Sequence, residues 1–186
     1  MIQTQADLRR AFPSAPGTPA PRPGTAPVAA VRVRPARMDD EDRVRAFVAG
    51  LSLRSRSLRF FGGVSRPGRA LVSAMVTVGE ARDVLLAVDA GERIIGHAMS
   101  FTRDGSTEIA VVVADAWQGV GLGSRLVRRL LARAVARGAT AVTMDVMGEN
   151  RKVLSMIARW WPHARMRVVS GTVEIAASLE AAPAAG

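Results

Sequence analysis

One uninterrupted stretch, Glu108 to Gly138, constrains this chain more than any other feature. It opens with Glu108-Ile-Ala-Val-Val-Val113, a Val-rich run that reads as a buried strand. It continues through Gln118-Gly-Val-Gly-Leu-Gly-Ser124, where glycine recurs at every second position, 119, 121 and 123. A strong amphipathic helix then runs to Arg137 and stops at Gly138. Without a Cβ at the glycines, backbone amides can approach a ligand closely. The helix N-terminus adds oriented N–H donors and a partial positive charge. The combination suits a phosphate or pyrophosphate. No Lys-Ser/Thr follows, so the loop is not a P-loop; position 124 is Ser, so it is not the dinucleotide fingerprint. The same glycines also fit a turn that serves only tight packing.

The rest of the chain has the alternation of a mixed α/β domain. Val31–Arg34 alternates like a strand and ends at Pro35. Asp39–Gly50 reads as a helix with acids in its first turn and Val44, Phe47 and Val48 on one face. Ser52–Phe61 is an Arg/Ser-rich segment, and Arg69–Val78 reads as a second amphipathic helix. Asp83–Asp89, Arg93–Arg103 and Glu108–Val113 are joined by tight turns and form an antiparallel meander. After the helix come a strand at Thr140–Val146, a short helix at Asn150–Arg159, and a hairpin from Arg165–Val169 and Thr172–Ala177. The order is βααβββαβαββ, a mostly antiparallel sheet of about seven strands flanked by helices.

Six of the ten prolines fall in residues 13–27, so an extended, poorly packed linker is expected there. Thr4-x-x-Asp7 before it marks a short helix that reaches Arg10. The expected organisation is a Pro-rich tail over 1–30, one domain over 31–178 and an Ala-rich tail over 179–186. No apolar signal-peptide core opens the sequence, and its longest apolar run, Ile109–Ala114, is far short of a membrane span. A cytoplasmic protein without a membrane partner is expected.

Composition narrows the chemistry. There is no cysteine and no tyrosine, only two histidines, His97 and His163, and a single lysine, Lys152. Disulfides, thiolate nucleophiles and Cys-type zinc sites are excluded, no metal site is expected, and no phenol can serve as an acid. Twenty-five arginines give a net charge of +10. That suits anionic partners, although a general bias towards Arg, Ala, Gly and Pro explains it as well. The arginines are scattered, and no nucleic-acid-binding motif accompanies them, so nucleic acid is not the expected partner.

These residues resemble the GNAT acetyltransferase superfamily. Gln118-Gly-Val-Gly-Leu-Gly123 matches its Q/R-x-x-G-x-G/A signature, between the positions of its fourth strand and third helix. Glu108-Ile-Ala-Val-Val-Val113 is similar to that fourth strand, and Glu149-Asn150 opens a short helix after the fifth. Ser52-Leu-Arg-Ser-Arg-Ser-Leu-Arg-Phe-Phe-Gly62 resembles the segment after the first helix in bacterial protein lysine acetyltransferases. The resemblance implies a GNAT fold over about 31–178 and acetyl-CoA as co-substrate. By the same resemblance, the pyrophosphate lies on the amides of Gln118, Gly119, Val120, Gly121, Leu122, Gly123 and Ser124. Pantetheine pairs with Val111, Val112 and Val113, with backbone near Val112 available to the thioester oxygen, and Asn150 contacts pantetheine or an ordered water.

An ammonium with a pKa near 10.4 must lose a proton before it attacks, so a base is needed. Glu108 matches the glutamate that is the general base in the lysine acetyltransferases this chain resembles; Glu80, Asp145 and Glu149 stand in reserve. A solvated strand-end carboxylate is the plain alternative for Glu108. Many members carry a tyrosine where this chain has Ile157, so no general acid is evident; Ser155 is the nearest hydroxyl in sequence. Arg125, Arg129, Arg133 and Arg137 recur every four residues. Arg133 and Arg137 read as a solvated face, and Arg125 as either that or a contact to CoA phosphate. Arg54, Arg56 and Arg59 with Phe60 and Phe61 form a candidate substrate-side lid, the phenylalanines also fitting a core; Trp160, Trp161 and His97 read as structural and His163 as a loop residue. Three functions stay open: transfer of acetyl to protein lysines, transfer to small amines, and non-catalytic binding of acyl-CoA or nucleic acid. The oligomeric state, monomer or dimer, is not encoded in any motif.

Overall fold

The computed structural model describes residues 30–62 and 67–179. The expected Pro-rich linker, the short helix from Thr4 to Arg10 and the tail beyond 179 lie outside the described residues. The elements are β1 (Arg32–Pro35), a 3-10 turn at Met38–Asp40, α1 (Glu41–Gly50), α2 (Leu53–Phe60), α3 (Arg69–Ala74), β2 (Arg82–Val88), β3 (Ile94–Arg103) and β4 (Ser106–Val113). A 3-10 turn at Asp115–Trp117 follows, then α4 (Leu122–Ala136), β5 (Ala141–Met147), α5 (Arg151–Trp160), β6 (Arg165–Val169) and β7 (Thr172–Ser178). One seven-stranded sheet runs β1-β2-β3-β4-β5-β7-β6. Every pairing is antiparallel except β4 with β5. The mixed α/β expectation holds. Among the described residues, no helix is long and apolar enough to cross a membrane.

Side-chain alternation assigns the two faces. Leu85, Ala87, Ile109, Val113, Val142, Met144, Val173 and Ile175 pack under α4 and α5. Val84, Leu86, Val88 and Val112 pack under α1 and α3 on the other face. On α4, Leu122, Leu126, Leu130 and Leu131 are fully buried. Each contributes roughly 1.5–3 kcal/mol from removal of apolar surface. The helix lies close to the sheet because residue 96 is glycine. A Cβ there would sit 2.9 Å from Leu126 Cδ1 and 3.2 Å from the Ala87 methyl.

Four local features depart from the sequence reading. Ser52–Phe61 contains a helix, α2, capped where Ser52 Oγ accepts from the Ser55 N–H at 3.1 Å. Among the described residues there are thus three α-helices between β1 and β2. Helix α3 ends at Ala74 rather than Val78, and Thr77 Oγ1 donates to the Ser73 carbonyl at 2.7 Å past its end. The packed domain reaches Leu179, which is buried and whose N–H donates to Thr140 O at 2.7 Å. Arg133 and Arg137 are solvent-exposed, as expected of a solvated face, but they are also paired: their Nε atoms bond the two oxygens of buried Asp83 at 2.6 and 2.8 Å. Burial pushes the Asp83 carboxyl up, and the two guanidiniums more than reverse this.

Candidate active site

The site begins where the sheet opens. Strands β4 and β5 pair only over Ser106–Glu108 and Ala141–Thr143, although they run on to Val113 and Met147. The Ala114 N–H donates to Ile95 O at 2.9 Å, which sets the phase of the β3–β4 ladder. In that phase residues 108, 110 and 112 exchange main-chain bonds with β3, while 109, 111 and 113 turn theirs towards β5. Past the last β4–β5 pair, the N–H and C=O of Val111 and the N–H of Val113 line the opening. The Val113 carbonyl accepts from Gln118 Nε2 at 3.0 Å. Val112 is turned the other way, its main chain against His97 in β3 and its side chain in the core.

The glycine loop closes the wide end of this opening. Gly119 and Gly121 have φ of 80° and 87°, and Gly121 is the N-cap of α4. An L side chain at either position would be strained, so the local sequence dictates this turn. Leu122, with its side chain fully buried, anchors the helix start. The amides from Gly119 to Ser124 lead into the helix. The Gln118 amide is engaged already, donating to Asp115 O at 3.3 Å.

The Gln118 side chain joins a network that the sequence does not reveal. Asp115 accepts from the Ser52 N–H (2.9 Å), Ser52 Oγ (2.7 Å) and Ser55 Oγ (2.7 Å). Gln118 Nε2 also donates to Ser55 Oγ at 3.0 Å. Burial pushes the Asp115 carboxyl up, but donation from the two serines outweighs it, and its pKa is lowered. The network ties the start of α2 to the glycine loop. A serine three residues from another at a helix start is the sequence signal that could have marked α2.

Helix α5 borders the loop. Asn150 is its N-cap, with Oδ1 accepting from the Val153 N–H at 3.4 Å, which leaves the amide NH2 as a donor. Lys152 comes close to the loop: a Cβ on Gly119 would lie 3.5 Å from its Nζ. Ile157 is buried in the core, and Ser155 is exposed on the same helix. Trp160 and Trp161 meet edge to face with centroids 5.9 Å apart. Arg125 is half-buried; burial lowers its pKa, and the charge of Arg129 adds to the effect.

Glu108 is exposed at the last paired position of β4, opposite Phe101 of β3. Its side chain shares a sheet face with Asp145 of β5 and Glu174 of β7, since Glu108 pairs with Thr143 and Asp145 with Glu174. A cavity of about 330 Å3 on this face is lined by Phe61, Asp145, Val169, Thr172 and Glu174. From the α2 side, Phe60 packs onto the core and Arg59 reaches Met99 Sδ at 3.3 Å. Phe61, in contrast, is 48% exposed at the end of α2. Beneath lies buried His97, whose Nε2–H donates to Met75 O at 2.9 Å. Desolvation lowers its pKa to about 4, so the ring is neutral at pH 7. Of the reserve carboxylates, Asp145 shares the face of Glu108; Glu149 is exposed in the turn before α5, and Glu80 is exposed beside β2.

Comparison with known proteins agrees with this architecture. The model of the acetyltransferase (GNAT) family matches residues 56–160. The chain is 33% identical over 107 residues to Acetyltransferase PA5475 of Pseudomonas aeruginosa, covering 54% of this chain and 58% of that one. It therefore spans under two thirds of that relative's length. The GNAT domain of S. lividans PAT superposes with a TM-score of 0.72 at 25% identity, over 80% of this chain and 90% of that one. Spermidine N-acetyltransferase from Vibrio cholerae, solved with CoA and spermine, shares the fold, with a TM-score of 0.62 at 14% identity over 81% of this chain and 96% of that one. The splayed strand pair, the glycine turn at a helix start and the match over 56–160 together show that this chain belongs to the GNAT acetyltransferase family.

Proposed function

We propose that this protein is an acetyl-CoA-dependent N-acetyltransferase that acetylates lysine side chains of proteins, with Glu108 as general base. The observation that carries the reading is the position of Glu108, where β4 and β5 part, on an open sheet face near the main chain of Val111 and Val113 that β5 leaves unpaired. The residues fit the co-substrate. The amides of Gly119, Val120, Gly121, Leu122, Gly123 and Ser124 would hold the diphosphate at the start of α4, with Lys152 beside them. Val111 would pair with the pantetheine arm as with an added strand, and the Asn150 NH2 would donate to it. When bound, acetyl-CoA supplies a thioester carbon open to attack by an amine.

Glu108 takes the proton of the acceptor ammonium, directly or through one water, and so frees the nitrogen lone pair. The Val113 N–H is the donor best placed for the thioester oxygen, because Val112 is committed to β3. Ile157, buried in the core, gives no acid at the leaving sulfur. A thiol with a pKa near 8.5 leaves adequately as thiolate and takes its proton from solvent.

The test is Glu108→Gln, assayed for CoA release on a protein lysate and on an amine panel. The variant should lose roughly 10²–10⁴-fold in kcat while acetyl-CoA still binds. Unchanged turnover removes Glu108 from the mechanism. Turnover confined to the amine panel moves the acceptor to small molecules, and mass spectrometry of the lysate locates any acetylated lysines.

A further inference from the structure

Arg59 lies in the last turn of α2, over β3 and β4, with surroundings that a guanidinium rarely tolerates. Its Nε is buried without a hydrogen-bond partner. Its Nη2 donates to Met99 Sδ at 3.3 Å, a weak acceptor. The guanidinium carbon sits 5.0 Å from the centre of the Phe60 ring, so the group is braced against an aromatic face. Burial lowers its pKa to about 10, and the charge of Glu108 opposes the shift without forming an ion pair. Arg59 therefore keeps its charge at neutral pH. His97, the other ionisable group beside it, is neutral there.

A desolvated guanidinium with unfilled donors calls for an anion. Among the described residues, none supplies one in contact with Arg59. Glu108 is close by but separate, and in the reading above it must be left to meet the amine. The missing anion then belongs next to the reacting nitrogen. We propose that Arg59 anchors a carboxylate carried by the acceptor, so that the enzyme selects amines with a carboxylate close to the reacting nitrogen. This inference rests on the acetyltransferase function proposed above. Glu108 and Asp145 face the ammonium end of such an acceptor, and Arg59 faces its anionic end. The net charge of +10 draws the anionic group in from a distance. The carboxylate has two sources: an Asp or Glu beside a lysine in a protein, or the α-carboxylate of a free amino acid.

The test uses the full chain and two pairs of acceptors, each pair differing by one carboxylate. The first is Ac-Ala-Lys-Glu-NH2 against Ac-Ala-Lys-Gln-NH2; the second is Nα-acetyl-lysine against its amide. For at least one pair, wild-type kcat/KM should favour the carboxylate by about tenfold or more, the size of one charge-assisted bond. Arg59→Gln should reduce that ratio to within about twofold, with acetyl-CoA affinity unchanged, and Arg59→Lys should restore part of it. Preference in the peptide pair assigns the carboxylate to a protein neighbour, and preference in the second pair to a free amino acid. Ratios near one in both pairs, or a ratio that survives Arg59→Gln, overturn the inference and leave the transferase function standing. If none of the four amines is turned over, the acceptor reading falls instead. Calorimetric binding of the Nε-acetylated peptides then decides the role of Arg59: preference for the glutamate form, lost in Arg59→Gln, supports it, and equal affinity overturns it.

Discussion

Removing one hydroxyl, in Ser55→Ala, should loosen both the start of α2 and the glycine loop. Ser55 is buried, and its Oγ gives one bond to Asp115 (2.7 Å) and accepts one from Gln118 (3.0 Å). The first is charge-assisted, worth about 1.5–3 kcal/mol, and the second is a neutral bond of about 0.5–1.5 kcal/mol. Asp115 keeps its two bonds from Ser52, and Gln118 keeps Val113 O, so neither partner is orphaned. Both partners also reach water, which pulls the expected loss towards the lower end, about 1–2 kcal/mol. For a domain of this size that is about 2–8 °C in Tm. Differential scanning fluorimetry on Ser55→Ala, with Arg54→Ala on the exposed side of the same helix as control, reads it directly. The acetyl-CoA Kd should rise a few-fold in Ser55→Ala only, since the loop that opens α4 loses a brace. A Tm within about 1 °C of wild type, together with unchanged affinity, would show that the network is incidental and that α2 and the loop are independent.

Two further outcomes follow from buried groups. The unfolded chain protonates His97 near pH 6.5, whereas the native ring resists until about 4. Stability is therefore complete above pH 6.5 and falls as the pH is lowered to about 4, by about 3 kcal/mol at 1.36 kcal/mol per unit. Urea denaturation at several pH values should show this slope, and His97→Gln should flatten it; an identical slope in the variant assigns it elsewhere. Gly96→Ala would press a methyl against Leu126 and Ala87, for an expected loss of about 1–3 kcal/mol by overpacking. Chemical denaturation should show part of that returned by Leu126→Val; a Gly96→Ala variant as stable as wild type contradicts the close approach of α4.

Much of the architecture can be read from local signals. The Val-rich strand, the alternate glycines, the helix stop at Gly138 and the tight turns each depend on residues near one another in sequence, and all are found where those signals put them. The phase of the ladder could not be read, because it depends on how β3 meets β4. That phase turns Val112 away from the opening and leaves Val111 and Val113 in it. Ser52 and Ser55 find Asp115 some 60 positions away, and Arg133 and Arg137 find Asp83 at 50 and 54. A periodic arginine stripe with no local acid reads as solvated, yet the sheet brings a buried carboxylate to it. Arg59 has the same origin: its charge suggests a surface position, and only the packing of α2 over β4 withdraws it from water.

The solitary lysine has a practical consequence. In the 186 residues, any acetyl-lysine on this chain has one address, Lys152, whose Nζ lies beside Gly119. A self-labelled band seen with an acetyl-lysine antibody would thus report a single site at the edge of the glycine loop. Acetylation there removes a positive charge from the place where the diphosphate is proposed to rest. The chain can therefore serve as its own gauge: substrate signal in a mixed lysate is separable from enzyme signal by the loss of one residue, Lys152→Arg.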